Sequence, residues 1–280
     1  MVNIEMLKAR PKFEFIKQNL LDIITYKKSS IFIKKNNEYK FYNENGIVYC
    51  ICDIIKKKLE GKYIELYDNN NIDPKGQIKK ECYFKNDKFD GEFKTYDKDG
   101  NLETLCYYIN DNLEGVYKRF IDNKIILICY YIKDKLNGSY KEYYINQKLK
   151  ISCNYIDNKL EGDYLEYYDN GQINYFCFNI DDNKHGKYKK YYKTGSIECI
   201  SYYNNDLLDG EYKEYFPSFS LDDGHLKVKS YFKNGLLHGE CRIYYDNNKL
   251  HILCNYINDK LCGEHIEYYN TGSIKKITTY

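Results

Sequence analysis

The sequence predicts an all-β chain: an elongated, single-layer antiparallel β-meander of tandem hairpin repeats of about 24 residues, with a short N-terminal helical cap. Three observations carry this reading. Nine glycines, Gly61, Gly91, Gly115, Gly138, Gly162, Gly186, Gly210, Gly239 and Gly263, follow one another at spacings of 30, 24, 23, 24, 24, 24, 29 and 24 residues. Pairs of Asn, Asp, Thr and Gly that suit tight turns recur at two fixed offsets from them. Between the turns lie short runs rich in Tyr, Ile and Phe, which favour strands.

The elements follow in chain order, numbered relative to each repeat glycine. Residues 1–38 do not fit the period. Phe13, Ile16, Leu20, Ile23 and Ile24 fall at helical spacing and Pro11 suits a first turn, so this segment reads as a partly helical cap over an open sheet end. Ile31-Phe32-Ile33 leaves a second reading open, a strand of a degenerate first repeat. Residues 39–280 read as about ten repeats, the first and last partial. An aromatic stands at +2 in seven repeats, and Cys241 and His265 take its place in the last two. Leu or Phe stands at −2, with Lys184 the exception, and Cys at −9, with Ser201 and Ser230 replacing it.

One turn signal sits at −5 and −4, as in Asn86-Asp87 and Asn258-Asp259; the other lies about nine residues past the glycine, as in Asp99-Gly100 and Asn170-Gly171. A two-residue turn at −5/−4 predicts −7 opposite −2, −9 opposite 0 and −11 opposite +2, all on one apolar face joined by −13. The opposite face then carries Lys, Glu, Asn and more Tyr. Insertions at Asp73–Gly76 and Phe216–Gly224 account for the two long spacings and are where specificity is expected.

Composition narrows the function classes. Lys plus Arg total 43 against 41 Asp plus Glu, a net charge of +2, which speaks against non-specific binding to nucleic acid. Mean hydropathy is −0.73, and no apolar run approaches the roughly 18 residues of a membrane span. Met1–Arg10 has no apolar core after its charges, so a secretory leader is not expected. The chain holds 35 Tyr and 13 Phe but no Trp.

Gly162-Asp163-Tyr164-Leu165-Glu166-Tyr167-Tyr168-Asp169-Asn170-Gly171, closing with Asp181-Asp182-Asn183-Lys184-His185-Gly186, resembles the variant class of MORN repeats. The resemblance covers about residues 39–280, and the chain departs from the better-known MORN pattern by lacking Trp and by placing Cys in the strand interior. It implies the elongated, slightly twisted single-layer sheet. It also implies an origin in a low-GC bacterium or giant DNA virus, and two roles: an antitoxin- or immunity-like inhibitor, as ascribed to some of the variant class, and association with membrane lipid, as proposed for other MORN proteins.

The residues themselves offer little catalytic chemistry. Equivalent cysteines of adjacent repeats lie two strands apart, roughly 9.6 Å at about 4.8 Å per strand, beyond the about 7 Å that a disulfide spans. The same separation keeps the ladder from sharing a zinc ion, and Cys50 and Cys52 form an isolated pair. Cysteine therefore reads as a small apolar filler over the glycine, and free thiols suit a reducing, cytoplasmic compartment. Cys241 and His265 lie too far apart for a nucleophile–base pair. His185 and His238, just before a glycine, read as solvated. Glu65, Glu142, Glu166, Glu214 and Glu267 at +4, with Lys or Arg commonly one residue earlier, read as solvated charge ladders rather than a paired-carboxylate site. Neither a nucleotide fingerprint nor a metal or cofactor site is expected.

What remains is a non-enzymatic scaffold for protein–protein interaction, with homodimerisation as one form of it. The expected contact surface is the tyrosine rows at +2 and +5: Tyr117, Tyr140, Tyr164, Tyr188 and Tyr212, with Tyr143, Tyr167 and Tyr191.

Overall fold

The computed structural model describes residues 32–43, 45–67, 76–218 and 224–280. The chain divides into two compact units, Met1–Leu113 and Glu114–Tyr280. No helix occurs among the described residues. The first unit contains β1 (Phe32–Lys35), β2 (Glu38–Tyr42), β3 (Val48–Ile55), β4 (Lys58–Leu66), β5 (Ile78–Lys85), β6 (Lys88–Tyr96), β7 (Leu102–Ile109) and β8 (Asn112–Leu113). The second opens with β9 (Gly115–Ile121), β10 (Lys124–Ile132), β11 (Lys135–Tyr143), β12 (Leu149–Ile156), β13 (Lys159–Leu160), β14 (Gly162–Tyr167), β15 (Ile173–Ile180) and β16 (Asn183–Tyr191). It continues through β17 (Ile197–Asn204), β18 (Leu207–Leu208), β19 (Gly210–Tyr215), β20 (Leu226–Lys233), β21 (Leu236–Leu237), β22 (Gly239–Tyr244), β23 (Leu250–Ile257), β24 (Lys260–Tyr268) and β25 (Ile274–Thr279). Within each unit, chain neighbours pair antiparallel, as in β5 with β6 and β15 with β16. The sequence-predicted meander is therefore present in both.

The helix expected over Phe13–Ile24 lies outside the described residues. Just before residue 39 the chain is a hairpin, β1 pairing with β2 from Phe32↔Phe41 to Lys35↔Glu38. The two insertions also fall largely outside the described residues, yet their flanks close the ladder. Tyr67 N–H donates to Gln77 C=O at 2.9 Å, and Phe216 N–H to His225 C=O at 2.9 Å.

Each hairpin turn at −5/−4 has both central residues in the left-handed region, as in Asn86 (φ 52°) and Asp87 (φ 69°) or Asp181 (φ 50°) and Asp182 (φ 72°). This is the type I′ geometry that Asn and Asp tolerate. The −4 side chain does more than turn the chain. Its carboxylate or amide oxygen accepts the −2 backbone N–H of the preceding repeat: Leu59 to Asp87, Phe89 to Asp111, Leu136 to Asn158, Leu160 to Asp182 and Leu237 to Asp259, all at 2.7–2.8 Å. The −4 N–H returns the bond to the same residue's carbonyl at 2.9–3.0 Å, for example Asp182 to Leu160. Successive turns are thus clamped at two points.

The opposite turns contain four residues, with Gly100, Gly171, Gly195 and Gly272 at φ 85–97° closing them. The 23-residue spacing before Gly138 is absorbed here, because Asp122 (φ 49°) and Asn123 (φ 59°) make a two-residue turn instead. At five repeats a tyrosine hydroxyl one residue past +5 ties this edge to the next repeat. Tyr67 donates to Tyr96 C=O, Tyr144 to Tyr167, Tyr168 to Tyr191, Tyr192 to Tyr215 and Tyr245 to Tyr268, at 2.7–2.9 Å.

The register departs from expectation at one place in every repeat. Residue −7 faces −2 as expected, in Ile54↔Leu59, Phe84↔Phe89 and Tyr131↔Leu136. Residue −9, however, faces +2 rather than the glycine, in Cys52↔Tyr63, Cys82↔Phe93, Cys129↔Tyr140 and Cys177↔Tyr188. Residue −11 faces +4, as in Cys50↔Glu65 and Leu127↔Glu142. The cause is a bulge at the glycine, which adds two residues to one strand and is made by a backbone at φ 71–127°. An even insertion preserves the alternation of faces, so −2, +2, −7, −9 and −11 still share one face.

Candidate interaction surface

The face shared by those positions is filled. Cys52, Tyr63 and Leu59 are each at most 2% exposed in the first unit, and Cys129, Leu136 and Tyr140 at most 3% in the second. Across strands the +2 ring lies between two thiols, as Tyr140 lies between Cys129 and Cys153. The rings also meet the −7 ring of the next repeat edge to face: Tyr117–Tyr131, Tyr140–Tyr155, Tyr188–Tyr203 and Tyr212–Phe232, with centroids 5.7–5.9 Å apart. Burial pushes the thiols of Cys129 and Cys153 up to about 12 and raises the Tyr140 and Tyr164 hydroxyls. These are neutral packing groups, and all eleven cysteines are free. The cysteine fills space beside an aromatic rather than over the glycine. Lys184, the exception at −2, pairs with an equally exceptional Asn179 at −7, and its ammonium sits 5.4 and 5.2 Å from the Tyr188 and Tyr203 ring centres.

The sequence-predicted tyrosines lie in or beside these rows. Tyr140 and Tyr164 are buried, Tyr117, Tyr188 and Tyr212 half-buried in the same row, and Tyr143, Tyr167 and Tyr191 half-buried at +5. Of these five +2 rings, Tyr140 and Tyr164 are packed most deeply, Tyr140 against the −7 ring of Tyr155. The +4 carboxylates stand beside it instead of forming a purely solvated ladder. Tyr140, Tyr164 and Tyr212 hydroxyls lie 3.5 Å from Glu142, Glu166 and Glu214, and Lys150 and Lys227 pair with Glu142 and Glu214 at 2.6 Å. Burial works to push Glu65 up, but the hydrogen bonds from Lys79 and Lys80 win and hold it below the usual carboxylate range. The −1 position is likewise not merely solvated. Glu60, Glu114 and Glu161 accept the −5 N–H of the next turn at 2.7–3.0 Å, and His238 meets Asn258 there at 3.3 Å. Cys241 and His265 lie on β22 and β24, with β23 between them. Among the described residues no group of three His, Cys, Asp or Glu side chains could hold a metal ion. No helix there is long and apolar enough to cross a membrane.

Most of the exposed large apolar residues are on the other face. Strand alternation turns −8 and −6 away from the filled rows. In the first unit these are Tyr83 and Tyr107 with Ile55 and Ile109, 36–54% exposed. In the second they are Tyr130, Phe178, Tyr202 and Tyr231 with Ile132, Ile156, Ile180 and Ile257, 36–56% exposed. At two repeats the glycine makes room for this row: a Cβ on Gly91 would lie 3.1 Å from the Tyr83 Cβ, and one on Gly210 3.3 Å from the Tyr202 Cβ. The signal was in the sequence, since −8 is aromatic in six of nine repeats and −6 isoleucine in six. The register expected from the turns puts ring packing over the glycine on the other face, which hides this row.

The family model described as MORN repeat variant matches residues 89–110, 160–175, 184–205, 237–258 and 261–280. Among solved structures, "Crystal Structure of TcdB2-TccC3-Cdc42" and "Crystal Structure of TcdB2-TccC3" are each 12% identical, with a TM-score of 0.14. Both alignments cover 86% of this chain but only 18% and 19% of those chains, so it spans about a fifth of their length. No curated protein matches the chain. All five family matches begin two residues before a repeat glycine, in phase with the bulge and hairpin just described, and these five repeats belong to the MORN repeat variant family.

Proposed function

We propose that the chain is a non-enzymatic, cofactor-free scaffold that binds other proteins through the exposed rows at −8 and −6. The observation that carries this is the asymmetry of the two faces. One face satisfies its own aromatics by interdigitation, while the other displays aligned Tyr, Phe and Ile at 36–56% exposure in each unit. Rows of exposed apolar residues rimmed by charge mark interaction surfaces, and tyrosine gives large contact area at low entropic cost. Ring neighbours in a row stand two strands, roughly 9.6 Å, apart. One partner therefore engages several repeats at once, with the gaps in the row at Asn154 and Asn255 setting its register. The test is affinity capture from the source cell with the full chain and a Tyr130→Lys/Phe178→Lys/Tyr202→Lys variant. The wild type is expected to retain a stoichiometric protein that the variant loses while its circular dichroism is unchanged. Retention of the same proteins by the variant, or capture of none by the wild type, would overturn the reading.

A further inference from the structure

Equivalent cysteines of neighbouring repeats are held apart by the intervening +2 ring, and one position breaks that rule. Cys241 replaces the +2 aromatic, so it faces Cys254 directly across β22 and β23. One repeat on, Gly263 and Tyr280 exchange both backbone hydrogen bonds, 3.2 and 2.9 Å. Gly239↔Tyr256 is the matching pair, and Cys241↔Cys254, two residues along, has the same phase. Direct partners of this kind have Cα atoms about 5.5 Å apart, inside the roughly 4.4–6.8 Å that disulfides span. Both thiols belong to the filled face, Cys241 at 7% and Cys254 at 2% exposure, and the Cys254 Sγ lies 3.9 Å from the Cys241 carbonyl oxygen. Elsewhere the row alternates ring and thiol, as in Cys129–Tyr140–Cys153. Cys50 and Cys52 share one strand and one face, with their Cβ vectors parallel rather than convergent.

We propose that Cys241 and Cys254 form a reversible dithiol–disulfide couple that staples the hairpin β22–β23, with a small-molecule disulfide of the glutathione type as oxidant. The more exposed Cys241 gives up its proton, and its thiolate attacks one oxidant sulfur. A mixed disulfide forms and one glutathione thiolate leaves. The Cys254 thiolate then attacks the Cys241 sulfur, closing the protein disulfide and releasing the second glutathione. Two protein thiols are oxidised, one oxidised glutathione becomes two reduced ones, and the two protein protons end on the released thiolates. Burial pushes the Cys241 thiol up to about 11, which makes the thiolate scarce at neutral pH and the couple slow rather than absent.

The test uses the folded full chain, oxidised glutathione and digestion under non-reducing conditions with mass spectrometry. A linked peptide pair containing Cys241 and Cys254, lighter than the two free peptides by the mass of two hydrogen atoms, is expected as the principal product. Dithiothreitol should restore both peptides. Cys241→Tyr, which reinstates the repeat's own aromatic, should fold and lose the link. In the linked wild type, amide exchange across β22–β23 should slow while that of β10–β11 stays unchanged. The proposal is overturned if both thiols stay reduced or carry only separate glutathione adducts, or if any other cysteine pair links first.

Discussion

Asp182→Ala tests whether the turn clamp, rather than apolar packing alone, holds one repeat to the next. The Asp182 carboxylate accepts the Leu160 N–H at 2.7 Å, and its own backbone sits at φ 72°. Losing a hydrogen bond to a charged acceptor costs about 1.5–3 kcal/mol, taken at its lower end because the turn is solvated. Placing a Cβ-bearing residue without a compensating side-chain bond in the left-handed region adds about 1 kcal/mol. The sum, about 2.5 kcal/mol, corresponds to roughly a 60-fold change in an opening equilibrium. Repeat arrays open locally, so native-state hydrogen exchange of the Leu160 amide is the right assay, not a global melt. Asp182→Asn should recover most of the protection, because Asn158 performs the same task one repeat earlier at 2.8 Å. If Leu160 exchange in the alanine variant stays within about threefold of wild type, or if asparagine falls as far as alanine, the clamp is not a stabilising element.

Other consequences are open to simple measurement. Gly91→Ala, at φ 127° and with the Tyr83 Cβ 3.1 Å from the added atom, should lower the melting temperature more than Gly263→Ala, at φ 71° with open space around it; equal shifts would remove the role given to the −8 ring. Leu136→Ala, at a site 1% exposed, should cost about 2–5 kcal/mol, read by urea unfolding monitored at β10–β11. Raising the pH should destabilise the chain. Burial holds Cys129 and Cys153 at about 12 in the folded state, so above the ordinary thiol value the unfolded chain loses protons that the folded one keeps. Stability is intact below about pH 8.5 and falls above it, by up to about 1.4 kcal/mol per pH unit for each such thiol. Cys129→Ser should flatten the slope of melting temperature against pH between 9 and 11, and an unchanged slope would assign the alkaline loss to other groups.

Much of this architecture was legible because repetition supplies its own control. Asn110-Asp111 and Asp181-Asp182 could be read as two-residue turns since the same offset recurs, and both residues of each pair are left-handed in the structure. The −7/−2 pairing followed from that turn. The −9/0 pairing did not survive, because a bulge leaves no mark in hydrophobic periodicity when it adds an even number of residues. Faces keep their identity while partners shift, so Cys129 moves from Gly138 to Tyr140. The consequence for the site was larger than for the fold. With glycine on the filled face, Tyr83 and Tyr202 have no evident support in the sequence, which points instead to Tyr140 and Tyr164, both buried. The Cys241–Cys254 neighbourhood was hidden for the same reason: a rule comparing −9 with −9 overlooks a cysteine at +2.

The corrected register also explains how one layer of strands buries a row of thiols without a second layer above it. Strands are about 4.8 Å apart, and in the row shared by −9 and +2 a ring stands on every second strand. Alternating a small residue with a large one doubles the ring spacing to roughly 9.6 Å, and each ring can tilt across the intervening thiol. Cys129 at 0% and Cys153 at 3% exposure are covered in this way by Tyr140 and the −7 rings Tyr131 and Tyr155. Ser201 and Ser230, where serine replaces the cysteine, are as deeply covered, at 1% and 3%, so small size, not thiol chemistry, is what the row requires. The other face is built differently. The −8 rings pair across strands with +1 residues such as Lys62, Val116 and Lys187, and Gly91 and Gly210 leave room for the Tyr83 and Tyr202 Cβ atoms while the rings stand part-exposed. Filling of one face and display on the other thus arise from a single bulge repeated along the chain.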